Sequence, residues 1–401
     1  MKKLALAAAA TIAAVPAAAQ DVQLKPLIEA RLRHEHVDQD GLALRSDAVT
    51  ARVRAGVQAT SGSIVATVQA QGNVAIGDRY FDGLNAQTNR PLIADPENVA
   101  IYLANLQFRS KPWTLTAGRQ KIMLDDERFV GNAAIRQNAQ TYDGVRSELT
   151  PVKGLKLDVS YVWAVQTIWG IEGRGARQRA VSGDNLFANL SYTSPVGTLT
   201  GFAYRVDQNE AAVQGYRLSS QTYGARLAGT RPLSTSAKLG YQFSYATQSD
   251  AGRNPNDYRA DYYLADLTLD FGAWKLNGGS EVLGADRGVA LTSFQTPLGS
   301  VFKFQGWADK LTTTPPNGLR DRYVGVMHGW KRVGPAANLA LSAYYHWYHS
   351  DRLSLDYGEE LNLLASGKLG RTTASVRYAH YDAKAFATDT DKLWLQLDWS
   401  L

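Results

Sequence analysis

The sequence predicts an all-β protein: a transmembrane antiparallel β-barrel of about 18 strands, with both termini at the periplasmic end. Three observations lead to this prediction: short alternating segments along the whole chain, connections that alternate between short and long, and an N-terminal export signal. The composition agrees, because 20 Tyr, 9 Trp and 35 Gly against only 13 Pro is typical of a bacterial outer-membrane barrel.

The export signal occupies residues 1–19. Met1-Lys2-Lys3 is basic, Leu4 to Val15 is almost entirely apolar, and Ala17-Ala18-Ala19 fits the cleavage rule for small residues. Cleavage after Ala19 would leave residues 20–401 as one barrel outside the cytoplasm. No other run approaches the roughly 18 apolar residues that a transmembrane helix needs.

The strands are predicted from alternation between apolar and polar residues. Val49 to Val57 alternates apolar residues with Arg52 and Arg54, and the final segment, Leu393 to Leu401, alternates with Gln396 and Asp398. A period of two gives a strand two different faces. In a membrane barrel the apolar face contacts lipid and the polar face lines the lumen.

The connections between these segments alternate in length. The short ones are rich in Pro, Gly and Ser, which is tight-turn chemistry. Four of the others are long and polar, namely Gly77–Asn98, Met123–Asn138, Thr167–Gly183 and Ala285–Leu319. In transmembrane barrels, short turns face the periplasm and long loops face outside. The alternation therefore predicts the bacterial outer membrane as the location.

A secreted water-soluble β-protein is the competing interpretation, since its strands also alternate. Charged residues on the polar face of strand after strand argue against it, as does the Tyr and Trp capping of the apolar face. The last strand, with Trp399 near its end, is similar to the signal that barrel-assembly machinery binds, although Leu401 departs from the usual Phe.

The predicted lumen is basic. A barrel of about 18 strands is wide enough for an aqueous channel. Rings of Arg and Lys favour anions in such channels, and Arg binds carboxylates with two parallel hydrogen bonds. The inward-facing basic residues predicted from the alternation include Arg52, Arg54, Arg109, Arg146, Arg205, Arg226, Lys238, Lys275, Lys368 and Arg377. Alternatively, these charges pair with acids across the lumen and only maintain the wall.

Other kinds of site receive little support. The chain has no cysteine, and its net charge of +6 is dispersed, so neither a disulfide framework nor nucleic-acid binding is expected. His34 and His36 lack a third ligand at a convincing spacing, and we predict neither a metal site nor a cofactor. Asp125-Asp126-Glu127 could bind a divalent cation, but pairing with Arg119, Arg128 or Arg136 is the simpler expectation.

The stretch from Gly118 to Arg146, GRQKIMLDDERFVGNAAIRQNAQTYDGVR, resembles the alginate-export family of outer-membrane barrels. Its Gly-Arg-Gln triplet, acidic pair, Arg-Gln-Asn triplet and Tyr-Asp pair carry the resemblance. Two further stretches are similar to the same family: Ala94 to Asn98, and the segment from Thr296 to Leu319.

The resemblance implies an eighteen-stranded pore for an anionic polysaccharide, lined by arginine and partly closed by loops. Its motif residues give the candidates for the constriction, which are Arg119, Asp125, Asp126, Arg136, Asp143 and Arg146. The loop Ala285–Leu319 is the candidate for folding into the lumen, through Phe304, Trp307, Asp309 and Lys310.

We therefore predict a porin-like channel for passive, anion-preferring diffusion, or for export of acidic oligosaccharides and polysaccharides. A structural or adhesive barrel that acts through its surface loops is the alternative. An enzyme is not expected, because no Ser and His arrangement suggests a nucleophile with its base. The expected partners are an anionic saccharide or small anion, outer-membrane lipid and lipopolysaccharide, and the barrel-assembly machinery.

Overall fold

A computed structural model describes residues 22–401 as one continuous β-barrel. The predicted signal peptide, residues 1–19, lies outside the described residues. Eighteen strands follow one another along the chain: β1 Gln23–Gln39, β2 Ser46–Ser61, β3 Ile64–Arg79, β4 Asn98–Arg109, β5 Trp113–Gln120, β6 Thr141–Val152, β7 Leu155–Gln166, β8 Ala180–Ser194, β9 Gly197–Val206, β10 Ser220–Pro232, β11 Ala237–Asp250, β12 Arg259–Phe271, β13 Trp274–Leu283, β14 Leu319–Val333, β15 Ala336–His349, β16 Asp356–Leu369, β17 Thr372–Ala383 and β18 Thr390–Ser400.

The barrel is closed by its first and last strands. Every strand pairs antiparallel with its neighbour in sequence, and β1 pairs with β18 from Glu29 opposite Ser400 to Gln39 opposite Thr390. Closure leaves no sheet edge with unpaired backbone groups, which a bilayer interior would not tolerate. The predicted strand number and antiparallel barrel are confirmed.

The two faces of the wall differ as the alternation predicts. On β2, Arg52 and Arg54 are buried against the lumen contents, with 4% and 5% of their surface exposed, whereas Val53 and Val57 on the other face are 52% and 41% exposed. Apolar side chains left exposed on strand after strand form an outward-facing band suited to lipid. This wall fits an outer membrane.

The two ends of the barrel carry connections of different length. At one end, β2 and β3 are joined by the two residues Gly62 and Ser63, with Gly62 in the left-handed region that tight turns require (φ 55°). At the other end lie the five longest connections, residues 80–97, 121–140, 167–179, 207–219 and 284–318. We call these the short-turn end and the long-loop end. No helix in residues 22–401 is both long and apolar enough to cross a membrane.

The hydrophobic core of the protein lies inside the barrel, where two long loops fill part of the lumen. Phe129, from the connection 121–140, packs against Phe202 of β9, Tyr262 of β12 and Phe294 of the connection 284–318, with ring centroids 5.1–5.7 Å apart. We call these two connections the acidic loop (121–140) and the long loop (284–318). Their packing against inward aromatic residues narrows the passage.

Candidate functional site: a lumen narrowed by two loops beside an arginine wall

The acidic loop is fastened to the barrel wall by a buried ion pair. Arg128 donates to Glu281 of β13 at 2.6 Å and to Thr296 of the long loop at 2.9 Å. Arg128 and Glu281 are only 1% and 2% exposed. Burial opposes the charge of Arg128, but the attraction of Glu281 and Tyr262 outweighs burial and raises the arginine's pKa. Removing either partner would leave an uncompensated buried charge, so this contact fixes the loop in place.

The two loops also hold each other. Glu127 of the acidic loop accepts hydrogen bonds from Ser300, at 2.7 Å, and from Lys303 of the long loop. Val130 and Leu298 form an isolated parallel β-bridge nearby. Burial disfavours the charge of Glu127, yet its bonds to Lys303 and Ser300 lower its pKa overall. The two loops therefore behave as one inward-folded unit.

The acidic pair predicted for the constriction anchors the loop to the wall. Asp125 lies 3.7 Å from Arg226 of β10 and accepts from Asn189 of β8 at 2.8 Å. Asp126 lies 3.5 Å from Arg226 and accepts from Gln242 of β11 at 2.5 Å. Burial, only partly offset by Arg226, raises the pKa of Asp125. These acids do pair with an arginine, but it is Arg226 of the wall and not Arg119, Arg128 or Arg136 as expected, because the loop folds inward onto β10.

The long loop is held by carboxylates of the wall. Glu281 accepts from Gln305 at 2.5 Å, and Glu360 of β16 accepts from the backbone N–H groups of Trp307 and Ala308, the latter at 2.8 Å. These contacts bring Phe304, Trp307, Asp309 and Lys310 inside the barrel, as expected from the sequence. Phe304 stacks under Arg128 at 4.8 Å, so its role is packing.

A network of charges lies where the two loops approach β1 and β18. Asp309 accepts from Arg136 at 2.5 Å and from Lys392 of β18 at 2.7 Å. Glu35 of β1 lies 3.8 Å from Arg136 and 3.6 Å from Lys392. Burial opposes the charge of Asp309, but Lys392 and Arg136 outweigh it and lower the pKa of Asp309 to about 2. Asp309 is therefore ionised at any neutral or mildly acidic pH.

Two cavities adjoin where the two loops fill part of the lumen. The cavity toward the long-loop end measures about 460 Å³ and contains Arg136, Lys310 and Lys392 in its lining. The cavity toward the short-turn end measures about 670 Å³ and includes Arg31, Arg377 and Asp398. Four residues line both cavities and mark the boundary between them: Ala134, Ile135, Phe302 and Lys303. A solute that crosses the barrel would meet these four residues.

One side of the lumen beside this boundary is an arginine wall, formed by inward residues of β1, β2 and β17: Arg31, Arg33, Arg52, Arg54 and Arg377. Arg31 stands directly opposite Arg52 in the β1–β2 register, a like-charge pair that costs stability in a sheet. Arg31 also donates to the Ala134 and Ile135 carbonyls at 3.0 and 3.2 Å. The wall therefore continues to the narrowest point.

The positive charge of this wall is only partly neutralised. Asp398 lies 2.7 Å from Arg31, and Glu29 lies 3.4 Å from Arg54 and 4.0 Å from Arg52. Buried N–H groups of Arg33, Arg52, Arg54 and Arg377 nevertheless have no hydrogen-bond partner within residues 22–401. Buried polar groups are rarely left unpaired, so the wall attracts any acceptor that reaches it.

Two of the predicted constriction residues lie on the wrong face of the wall. On β5, Arg119 lies on the same face as Leu115 and Ala117, so it points away from the lumen. Asp143 stands opposite Arg119 on β6 and also points outward. They form a two-bond ion pair with each other, at 2.7 and 2.8 Å. The prediction that they line the constriction is wrong, because the strand alternation continues up to Gln120. Arg205 on β9 points outward for the same reason.

Arg146 faces the lumen but lies away from the two loops. It binds Asp158 of β7 through two hydrogen bonds, at 2.9 and 2.6 Å, and lies 3.4 Å from Glu148. Its charge is therefore paired within the wall between β6 and β7. The structure brings Arg136 to the narrowest point and leaves Arg146 in the supporting wall.

Several residues that hold the loops find their partners only in the structure. Glu35, Lys392, Arg128 and Glu281 all bind the loops, and Asp95 in residues 80–97 pairs with Arg33 and accepts from the Gln137 N–H at 2.6 Å. Alternation places Glu35 and Glu281 inward, and it could have placed Lys392 inward as well. It could not show which loop each one meets.

The described residues do not offer a metal centre. No group of three or more His, Asp or Glu side chains in residues 22–401 is arranged to hold a metal ion. His36 bonds Asp47 at 2.8 Å and His34 lies 3.6 Å from the same carboxylate, both on the outer face of β1 and β2.

Comparison with solved structures assigns the fold to a known class. The barrel is similar to OccK9 (OpdG) of Pseudomonas aeruginosa, with a TM-score of 0.73 and 16% identity over 95% of this chain and 98% of that chain. It is also similar to OccAB4 of Acinetobacter baumannii, with a TM-score of 0.70 and 15% identity over 94% and 98% of the two chains. For OpdK of P. aeruginosa, solved with vanillate, the TM-score is 0.69 and the identity is 13%, over 94% of this chain and 98% of that chain.

At these identities the likeness establishes the fold, a closed 18-stranded antiparallel barrel. A second structure of OpdK carries the description outer membrane protein. No protein-family model matches the chain, and no curated protein matches its sequence. The comparisons do not single out the alginate-export family. The protein has the fold of this class of outer-membrane barrels, and the fold fits an outer-membrane location.

Proposed function

We propose that the protein is a passive, anion-preferring channel for small solutes. One observation carries the proposal: the boundary between the two cavities lies beside an arginine wall whose positive charge is only partly neutralised. A ring or wall of Arg and Lys favours anions through its electric field alone. Following the barrel rule, the short-turn end faces the periplasm and the long-loop end faces outside.

The surroundings of the boundary favour compact carboxylates with an apolar or aromatic body. Phe302 and Trp307 are stacked with their ring centroids 6.0 Å apart, and the Arg377 guanidinium lies 5.5 and 5.7 Å from the two rings. Aromatic faces bind planar apolar groups, while a guanidinium binds a carboxylate. The vanillate bound to OpdK is an aromatic carboxylate of this kind.

Export of an acidic polysaccharide, the other substrate expected from the sequence, would require the two loops to leave the lumen. They are fastened by the Arg128–Glu281 pair, the Glu127–Lys303 pair and the bonds to Glu360. Opening would break several buried charged contacts together, so small anions are the better-supported class. A structural or adhesive role gains no support from these two loops, because they fold inward. Contact with lipopolysaccharide and with the barrel-assembly machinery remains a prediction.

Reversal potentials in planar bilayers under a salt gradient test this proposal. The wild-type channel is expected to prefer anions, and the double variant Arg52→Gln/Arg377→Gln to shift toward cations. A matched double variant outside the lumen, Arg45→Gln/Arg119→Gln, removes the same charge and should leave the reversal potential unchanged. A folded barrel that passes no current, or a wild-type channel that prefers cations, would overturn the proposal. Block of the current by vanillate, with less block by an uncharged analogue, tests the substrate class.

A further inference from the structure

A second set of basic side chains lies at the short-turn end. Lys238 of β11, Lys275 of β13, Lys331 of β14 and Lys368 of β16 are all exposed there. Each lysine faces the lumen, because it lies an even number of residues from an inward-facing residue of its own strand. These inward-facing residues are Gln242 on β11, Asn277 on β13, Met327 on β14 and Leu364 on β16. We call these four residues the lysine arc, because they occupy one side of the barrel from β11 to β16.

The charge of the lysine arc is largely uncompensated. Asp270 of β12 lies 2.9 Å from Lys275 and stands opposite Lys238 in the strand register. None of Lys238, Lys331 and Lys368 forms a salt bridge in the described chain, residues 22–401. Four lysines and one aspartate leave a net charge of three positive units on one arc of the mouth.

The lysine arc lies directly below the cavity at the short-turn end. Gln242, Asn277, Met327 and Leu364, which line that cavity, are two to four residues nearer the long loops on the same four strands. A solute that moves between this cavity and the short-turn end must pass the arc.

The opposite side of the mouth is different. Lys25, Arg109 and Lys156 are the inward basic residues on β1, β4 and β7. Lys156 is neutralised by Glu148 at 2.7 Å and Asp158 at 3.4 Å, and Arg109 donates to Gln107. Two strands separate each of these residues from the next, whereas at most one strand separates successive residues of the lysine arc. The unpaired positive charge at the short-turn end is therefore concentrated on the side formed by β11 to β16.

The spacing of the arc selects the kind of anion that it would bind. Lys238 and Lys275 both stand opposite Asp270, two strands apart, and Lys368 stands opposite Ala337, whose other partner is Arg332, the neighbour of Lys331. With strands about 4.8 Å apart, the two lysines of each pair lie about 10 Å apart across the sheet, so their long side chains can contact one compact polyanion together. At 0.15 M salt the Debye length is about 8 Å, so a monovalent anion near the centre of a wide barrel experiences little of the field. Affinity therefore requires several negative charges placed against the wall.

We propose that the lysine arc is a binding site for multivalent anions, such as compact polyphosphates or polycarboxylates, at the short-turn mouth of the channel. This inference depends on the proposed function in one respect only, which is that the lumen must conduct ions. Occupancy of the arc would obstruct the cavity above it and reduce the current from that side.

Inositol hexakisphosphate is a suitable probe, because its six phosphates surround a compact ring. We expect it to block single-channel current when added at the short-turn side at 0.1 M salt, and to block weakly at 1 M salt, where the Debye length falls to about 3 Å. A variant with all four lysines of the arc changed to Gln should need at least about tenfold more probe, since it lacks every positive charge of the arc.

The orientation of each channel can be read independently. The chain has no cysteine, so Ser63→Cys in the turn between β2 and β3 reports which side carries the short turns when a membrane-impermeant thiol reagent is added.

The matched control is Lys25→Gln/Arg109→Gln/Lys111→Gln/Lys153→Gln, which removes four positive charges from the same end but outside the arc. All variants are first checked for a folded barrel by heat-modifiable migration in gel electrophoresis.

The outcomes separate clearly. Block that is lost in the arc variant and kept in the control supports the site. Equal block in wild type and arc variant, equal loss in both variants, or block only from the long-loop side overturns it. Retained anion preference without any block overturns the arc alone. A cation-preferring wild type overturns the proposed function but still leaves block at the arc measurable.

Discussion

Lys310 is the side chain at the narrowest region whose charge is most open to change by pH. It lines the cavity at the long-loop end and donates to Gln39 at 2.8 Å. Burial and the nearby charge of Lys392 lower its pKa to about 8, although Asp309 partly opposes them. Its charge is therefore complete well below pH 8 and lost above it.

The anion preference of the channel should accordingly fall between pH 7 and pH 9. A unit charge about 8 Å from the path contributes roughly 0.5 kcal/mol in water, with opposite sign for an anion and a cation, which is up to about a fivefold change in the anion-to-cation permeability ratio before screening by salt. In Lys310→Gln the ratio should start lower and remain flat across this range. Reversal potentials recorded at each pH measure it, with Lys384→Gln as a control at the exposed outer rim. The same pH dependence in Lys310→Gln as in wild type would exclude Lys310 as the titrating group.

Asp309 behaves in the opposite way, because its pKa is lowered. Its ion pairs contribute stability above the ordinary aspartate pKa, and this contribution disappears only as the pH falls through about 2. We therefore expect the Asp309 ion pairs to persist between pH 5 and pH 8. Asp309→Asn should make the current noisier at every pH in this range, since Lys392 and Arg136 would lose their shared carboxylate. Single-channel recordings of the variant and the wild type at pH 5 and pH 8 check this, and a variant current as quiet as that of the wild type would contradict it.

At the scale of elements, the two inward loops decide the size of the passage. The long loop is attached at Glu281 and Glu360, and the acidic loop at Arg128 and Arg226. Because buried charges hold both loops, their closure should be persistent and should depend on single carboxylates.

Replacing residues 299–311 with a short Gly-Ser segment should raise the single-channel conductance severalfold, because it removes Phe302, Lys303 and Trp307 from the boundary. Anion preference should decrease but persist, since the arginine wall remains. Conductance in planar bilayers measures the effect. The corresponding replacement of residues 252–256, a connection at the long-loop end between β11 and β12, should leave conductance close to wild type. An unchanged conductance after the first replacement would show that the long loop does not limit the passage.

At the scale of the whole molecule, stability lies in the closed backbone ladder more than in the lumen contacts. Strand β18 pairs with β17 and β1 along most of its length. Each backbone group left unsatisfied in a bilayer costs several kcal/mol, so loss of a complete strand is not tolerated.

Deletion of residues 390–401 should therefore abolish the folded barrel, as measured by heat-modifiable migration after refolding in detergent. Removing only Leu401, which is 53% exposed, should leave folding intact. A folded seventeen-stranded form of the truncated chain would be evidence against closure as the main source of stability. Glu281→Gln, which disturbs only the lumen, should still give a folded barrel.

The fold and the basic lumen follow from local features of the chain. Arg52 and Arg54 alternate with valines and alanines, which was sufficient to place them inside. The predicted lining by Arg226 and Arg377 is correct in orientation for the same reason. The error at Arg119 and Asp143 arose because a motif resemblance was followed where the alternation on β5 already pointed outward.

The sequence alone determined the strand number, the two faces of the wall and the loops expected to be long. These depend on a period of two and on turn residues, both of which are short-range properties. The tertiary structure alone decided which acid meets which base. Arg128 finds Glu281 across 153 residues, and Arg136 finds Asp309 across 173. Such pairs form only when closure of the barrel brings distant strands around the same loops. No local sequence pattern indicates which two residues will come into contact.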